Sequence, residues 1–245
     1  FSLIPYFKTN YGKDYVNADG SKIALPPSYN GREIGMDAKI SLSSSLNLDL
    51  TVNSDFSQVE VDRQVTNLSR FELFFPERRQ FFLENADLFS NLGFNNVRPF
   101  FSRRIGLNTR IDYGARMSGR LDKNWRIGVM DMKTAENIND NTLAQNFAVI
   151  AVQRKLFKKS SIELFYIDKT GLNYQAPVAA NPNCNCVYQD PGAPYNKNLG
   201  FEYLIAPSNN LWSGKTIFIK SFSPCLMWTN SWNTVRIISI KFLLP

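Results

Sequence analysis

The chain has 245 residues, 44% apolar and 20% charged, with a formal net charge of +7. This excludes a disordered chain, and with no run of about 18 apolar residues it also excludes a membrane-spanning helix. There is no histidine, so His-based triads, His-ligated zinc and imidazole acid–base chemistry are excluded as well.

The basic residues are scattered rather than clustered, so nucleic acid is not an expected partner. A mean hydropathy of −0.25 suits strands that alternate lipid-facing and water-facing residues. The chain opens Phe1-Ser2-Leu3-Ile4 without initiator Met or leader. An export signal, if present, is therefore expected outside this sequence.

A first strand is expected near 1–8, followed by a long polar connection over 9–31. From Ile34 the apolar positions alternate through Met36, Ala38, Ile40 and Leu42, with Gly35, Asp37, Lys39 and Ser41 between them. After Ser43-Ser44-Ser45 the pattern resumes at Leu46, Leu48, Leu50 and Val52. Two alternating runs around a tight polar turn predict a hairpin.

Residues 53–109 break the pattern and are too long for a simple loop. They hold Phe71, Phe74, Phe75, Phe81 and Phe82 among many charges. So many exposed rings would be an aggregation hazard. A folded insertion that enters the lumen or caps its outer mouth is expected instead. Its ion-pair cluster is assigned to Asp55, Glu60, Asp62, Arg70, Glu72, Glu77, Arg78, Arg79, Glu84, Arg103 and Arg104. The sharper alternative makes Glu60, Asp62, Glu72, Glu77 and Glu84 a catalytic set, since glycoside hydrolysis needs two carboxylates. Carboxylates amid arginines are more often structural.

A second hairpin places Ile111, Tyr113, Ala115, Met117 and Leu121 on one face, turns at Asp122-Lys123-Asn124 and returns through Trp125, Ile127 and Val129. Trp125 beside a turn suits an interfacial aromatic belt. A third runs over 146–157, turns at 158–160 and returns through 162–166. Its first strand is apolar on both faces around 147–152, which leaves its register open. A fourth covers 199–205 and 211–222. About nine strands result, with short turns at one end and long connections (9–31, 53–109, 133–144, 169–198) at the other.

Cys184, Cys186 and Cys225 are the only cysteines. The one-residue spacing of the first two supports metal binding poorly, and a strained local disulfide or two free thiols are both open. No metal or cofactor is expected.

The fold expected is all-β: an antiparallel up-and-down transmembrane β-barrel, partial over 1–222, with the 53–109 segment inserted as plug or cap. A soluble up-and-down barrel would alternate in the same way but bury its apolar face. Beyond Ser223 the alternation is lost through Cys225-Leu226-Met227-Trp228 to Pro245, so 223–245 is expected to be an aberrant tail of a truncated or frameshifted barrel.

The runs Asp55-Phe56-Ser57-Gln58-Val59-Glu60, Arg70-Phe71-Glu72-Leu73-Phe74-Phe75-Pro76-Glu77-Arg78-Arg79 and Phe81-Phe82-Leu83-Glu84 form one long motif. It resembles the signature of a Bacteroidota outer-membrane β-barrel family of unknown function, usually preceded by a family 9 carbohydrate-binding module. Phe101-Ser102-Arg103-Arg104-Ile105-Gly106 and 146–157 are similar to that family too, and the resemblance spans roughly residues 1–222. It implies a Gram-negative outer-membrane location, with membrane lipid and the barrel-assembly machinery as partners. It supplies no catalytic residue. The carbohydrate-binding module is absent from this sequence, so glycan binding does not transfer to these residues.

The functional expectation is a non-enzymatic, porin-like envelope barrel linked to glycan capture or small-solute passage. The alternatives are an outer-membrane glycan hydrolase and a soluble β-rich binding protein.

Overall fold

The structure is a computed structural model. It describes residues 1–12, 15–18, 21–24, 29–54, 75–94, 97–107, 109–137, 142–172, 195–207, 213–223 and 237–243, with 10–31 and 237–243 described by backbone only. Cys184, Cys186, Cys225, Asp55, Glu60, Asp62, Arg70 and Glu72 lie outside the described residues.

The strands are β1 (Ser2–Gly12), β2 (Tyr15–Ala18), β3 (Ser21–Ala24), β4 (Tyr29–Ser43), β5 (Leu46–Val52), β6 (Ile111–Arg120), β7 (Trp125–Thr134), β8 (Gln145–Leu156), β9 (Ser160–Gly171), β10 (Tyr195–Ile205), β11 (Ser213–Phe222) and β12 (Ile237–Leu243). All but two form one ten-stranded antiparallel meander in the order β1-β4-β5-β6-β7-β8-β9-β10-β11-β12. β2 and β3 pair separately inside the connection from β1 to β4.

Three findings depart from the expectation. Ten strands stand in the main sheet rather than about nine, because β12 pairs with β11 within the stretch expected to be a tail. The sheet is open: no ladder joins β1 to β12 among the described residues, so the expected barrel is not closed. Ile111 does not share a face with Tyr113. A bulge between them turns Ile111 to the covered side, where it is buried, and leaves Tyr113 exposed.

The tight turns form as their residues dictate. The Asp122 carboxylate accepts from the backbone N–H groups of Asn124 at 2.6 Å and Trp125 at 2.8 Å, an Asx turn that ends β6 and starts β7. Ser44 and Ser45 alone separate β4 from β5.

Residues opposed across a ladder share a face, so each face can be followed from strand to strand. One face carries Ile40, Leu48, Met117, Val129, Ile150, Tyr166 and Leu199 in a single row, with Ile127, Val152, Leu164, Phe201 and Phe218 in the next. This apolar face is the uncovered one: Ile34 is 75% exposed, Leu164 52% and Ile150 43%. The other face carries Asp37, Lys39, Asp49, Thr51, Arg116, Ser118, Arg126, Gln153, Glu163 and Glu202. It is the covered one, with Arg116 only 1% exposed.

The cover is the inserted segment, which contributes α1 (Gln80–Leu83), α2 (Asp87–Ser90) and a 3-10 turn, η1 (Ser102–Arg104). Its Phe82, Leu88, Phe89, Leu92, Phe100 and Ile105 form one buried cluster with Met130, Met132, Phe147, Val149, Ala151, Phe165, Ile167, Ile217 and Ile219. The two-faced apolar character of β8 is thereby explained. Phe147, Val149 and Ala151 meet the insertion, whereas Ala148, Ile150 and Val152 point away from it.

Candidate functional site

The site is the covered polar wall together with the segment seated on it. Glu77 and Arg79 organise that segment from within. Glu77 accepts from Arg79 Nε at 2.9 Å and Nη2 at 2.8 Å, from Ser102 Oγ at 2.6 Å and from the backbone N–H of Arg78 and Arg79. Arg79 also donates to the carbonyls of Ser102 and Ile105, each at 2.7 Å, and lies 4.2 Å over the Phe82 ring. The pair thus ties 77–82 to 102–105. Burial alone would raise the Glu77 carboxyl, but the hydrogen bonds and charge of Arg79 outweigh it and hold it below the usual carboxylate range.

Other contacts fix the segment to the wall. Glu84 pairs with Lys39 Nζ on β4 and accepts from Asn47 Nδ2 on β5. Asp87 takes a bidentate contact from Arg126 on β7 at 2.6 and 3.0 Å. Arg116 on β6 donates to the Phe81 carbonyl. Lys215 on β11 donates to the carbonyls of Asn91 at 2.8 Å and Gly93 at 2.7 Å, while Glu202 on β10 accepts the Gly93 N–H. The hydrogen bonds from Lys39 and Arg126 depress the Glu84 and Asp87 carboxyls respectively.

Depth follows from the register. The insertion leaves β5 at its Asn53 end, yet Glu84 touches Asn47, about 20 Å further down the strand. The segment therefore descends toward the short turns rather than resting across the long-loop end.

Near those turns a polar row crosses four strands. Arg126 Nη1 donates to Gln153 Oε1 at 3.3 Å, Gln153 Nε2 donates to Glu163 Oε2 at 3.3 Å, and Glu163 stands directly opposite Glu202. Lys215 Nζ lies 2.7 Å from the Glu202 carboxylate. In the row above, Gly128, Ala151 and Gly200 leave space, with Phe165 between the last two. Gly128 receives the Phe89 ring, whose Cζ would lie 2.7 Å from a Cβ there.

Of the residues singled out from sequence, Glu77, Arg78, Arg79 and Arg103 come together inside the insertion. Arg103 donates to the Pro76 carbonyl at 3.0 Å and lies over the Phe75 ring. Arg104 is exposed at the edge of η1. Glu84 reaches the wall, at Lys39 and Asn47. The expected ion-pair cluster omits nine residues of the site: the alternation marks Lys39, Asn47, Arg116, Glu163 and Glu202 only as polar-face residues of a solvent side or wet lumen, and Asp87, Arg126, Gln153 and Lys215 are missed outright. Their common signal is position, since each strand residue among them occupies the polar phase of its strand.

Chemically, the arrangement is a set of clamps. Both oxygens of Glu77 are taken by Arg79 and Ser102, and those of Glu84 by Lys39 and Asn47. Glu163 and Glu202 are 7% and 4% exposed, closed off beneath the insertion. One cavity of about 50 Å³, bordered by Glu77, Phe82, Phe89, Arg98 and Phe100, lies within the insertion. It holds about one or two water molecules, far short of a substrate pocket. Among the described residues no group of three or more Cys, Asp or Glu could hold a metal ion.

Comparison with known proteins gives one match. Neither the curated proteins nor the solved structures contain a match to this chain. Residues 1–114, which run from β1 through the insertion into the start of β6, match a family model described as a domain of unknown function, DUF5916. The resemblance drawn from the Phe/Glu/Arg motif is thus supported at the level of similarity to a family of unknown function over residues 1–114.

Proposed function

We propose that this chain forms the wall of an outer-membrane barrel, with its lumen occupied by the described part of the insertion, 75–94 and 97–107, and that it serves the capture or passage of polar solutes. The observation that carries this reading is a continuous apolar face left uncovered while the sheet's charges are enclosed. A water-soluble sheet leaves its charged side to solvent and keeps its apolar side for its own core. Here the outward face is apolar through most of its length, and the charges lie on the covered side beside the apolar patch that receives the insertion.

The slope of the polar boundary supports the same reading. On the outward face of β4 the first charge toward the long-loop end is Arg32, and on β11 it is Lys220. Followed through the ladders, Lys220 is level with Ile40, eight residues short of Arg32. A drop of about 27 Å across about 34 Å of sheet corresponds to strands tilted by about 40° from the membrane normal. Membrane barrels tilt their strands by about 35–45°.

The wall is suited to water. Asp49 Oδ2, Arg116 Nε and Nη2 and Glu163 Oε1 are buried without a hydrogen-bond partner among the described residues. Groups of this kind are normally met by water or a ligand. Both charge signs line the wall, which favours polar solutes without strong ion selectivity.

The test is fractionation of cells that express the full-length gene, followed by electrophoresis of heated and unheated samples. The reading predicts outer-membrane recovery resistant to carbonate extraction and a heat-dependent shift in mobility. Recovery as a detergent-free soluble monomer with unchanged mobility refutes it.

A further inference from the structure

The outward face carries a second feature at its long-loop rim. Lys197 on β10 stands opposite Phe222 on β11, and Lys220 stands opposite Leu199. The two lysines are therefore diagonal neighbours on one face, about 7–8 Å apart at their backbones. Each cation lies over a ring, Lys197 Nζ at 5.6 Å from the Tyr195 centroid and Lys220 Nζ at 5.0 Å from that of Phe222. Lys133 repeats the arrangement on β7, 5.7 Å over Tyr113. Below them the same face is apolar, through Leu199, Phe201 and Phe218.

Asp168 offsets part of this charge, as its carboxylate lies 3.4 Å from Lys197 and also accepts from Tyr166 at 3.2 Å and Thr170 at 2.8 Å. Lys220 has no ion-pair partner among the described residues. A cation pair beside one amphipathic ring and one apolar ring, at the level where an apolar face ends, complements a ligand with an anionic head and an apolar body. A free anion would have no use for the rings or the apolar face.

Resting on the membrane reading above, we propose that Lys197 and Lys220, flanked by Tyr195 and Phe222, bind the phosphorylated headgroup of a lipid in the leaflet on the long-loop side. The phosphate sits between the two ammonium groups, and the acyl chains run down over Leu199, Phe201 and Phe218.

The test uses the full chain in a zwitterionic detergent, with retained lipid counted by native mass spectrometry. Phosphatidylglycerol and phosphatidylcholine of matched acyl chains are the probes, and inorganic phosphate is the competitor. The proposal expects preferential retention of phosphatidylglycerol, a fall in that retention of about tenfold in Lys197→Gln/Lys220→Gln, and no change in Lys123→Gln/Lys158→Gln at the opposite rim. Equal retention of the two lipids, an unaffected Lys197→Gln/Lys220→Gln variant, or displacement by millimolar phosphate overturns it. Insertion into phosphatidylcholine vesicles separates the two readings. A chain that inserts but shows no preference refutes the headgroup site alone, whereas one that stays soluble and never inserts refutes the membrane reading and this site with it.

Discussion

Glu84 and Lys39 stand 45 residues apart in the chain, yet their ion pair pins the insertion to β4. Asp87 and Arg126 do the same on β7. Both carboxyls are depressed in the folded state by these partners. Their contribution to docking is therefore full above the unfolded carboxyl range, about pH 4, and is lost as pH falls through the lower folded values. Hydrogen exchange of peptides from 75–107, corrected for intrinsic rates, should show the segment protected at pH 7 and loosened near pH 3. Glu84→Gln should bring part of that loosening to neutral pH.

The Glu77–Arg79 pair is only 11–12% exposed at its side chains. Removing one partner of a buried, hydrogen-bonded pair costs about 3–5 kcal/mol. Arg79→Ala should accordingly free the insertion while the sheet remains, giving rapid tryptic cleavage at Arg78 on intact cells where the parent chain resists.

The Phe89 ring packs directly on the Gly128 backbone. Gly128→Val places methyl groups in the Phe89 ring and should cost about 1–3 kcal/mol through overpacking. The loss should appear as a lower melting temperature and be largely relieved by Phe89→Ala in the same chain.

Ile150 is 43% exposed on the outward face, between Val129 and Tyr166. On a water-soluble protein Ile150→Arg would be nearly neutral. On a lipid-facing strand it should cost about 2–4 kcal/mol, read as reduced folding into vesicles in a urea titration.

The alternation of β4, β5 and β7, the turn at Asp122-Lys123-Asn124 and the segregation of short from long connections are legible in the sequence, because each depends on neighbours within a few residues. What escaped depends on partners far along the chain. β8 reads as apolar throughout because Phe147, Val149 and Ala151 serve the insertion, which periodicity alone cannot reveal. The bulge that turns Ile111 inward is one residue of register, invisible to a period-two count. The cluster expected in the insertion captured Glu77 and Arg79 through their local Arg/Glu spacing. It missed Lys39, Arg126 and Lys215, which look like ordinary polar-phase strand residues until the insertion is seated on them. β12 escaped because Ile237–Leu243 has little turn chemistry around it, and its pairing with β11 is long-range.

The most direct measurement concerns the environment of a single outward position. The four native tryptophans are replaced by Phe, Leu164→Trp is introduced, and the chain is folded into vesicles of brominated lipid. The account predicts strong quenching of the Trp fluorescence by the brominated chains and little by aqueous acrylamide. Quenching by acrylamide with none from the lipid would place Leu164 in water and contradict the lipid-facing wall.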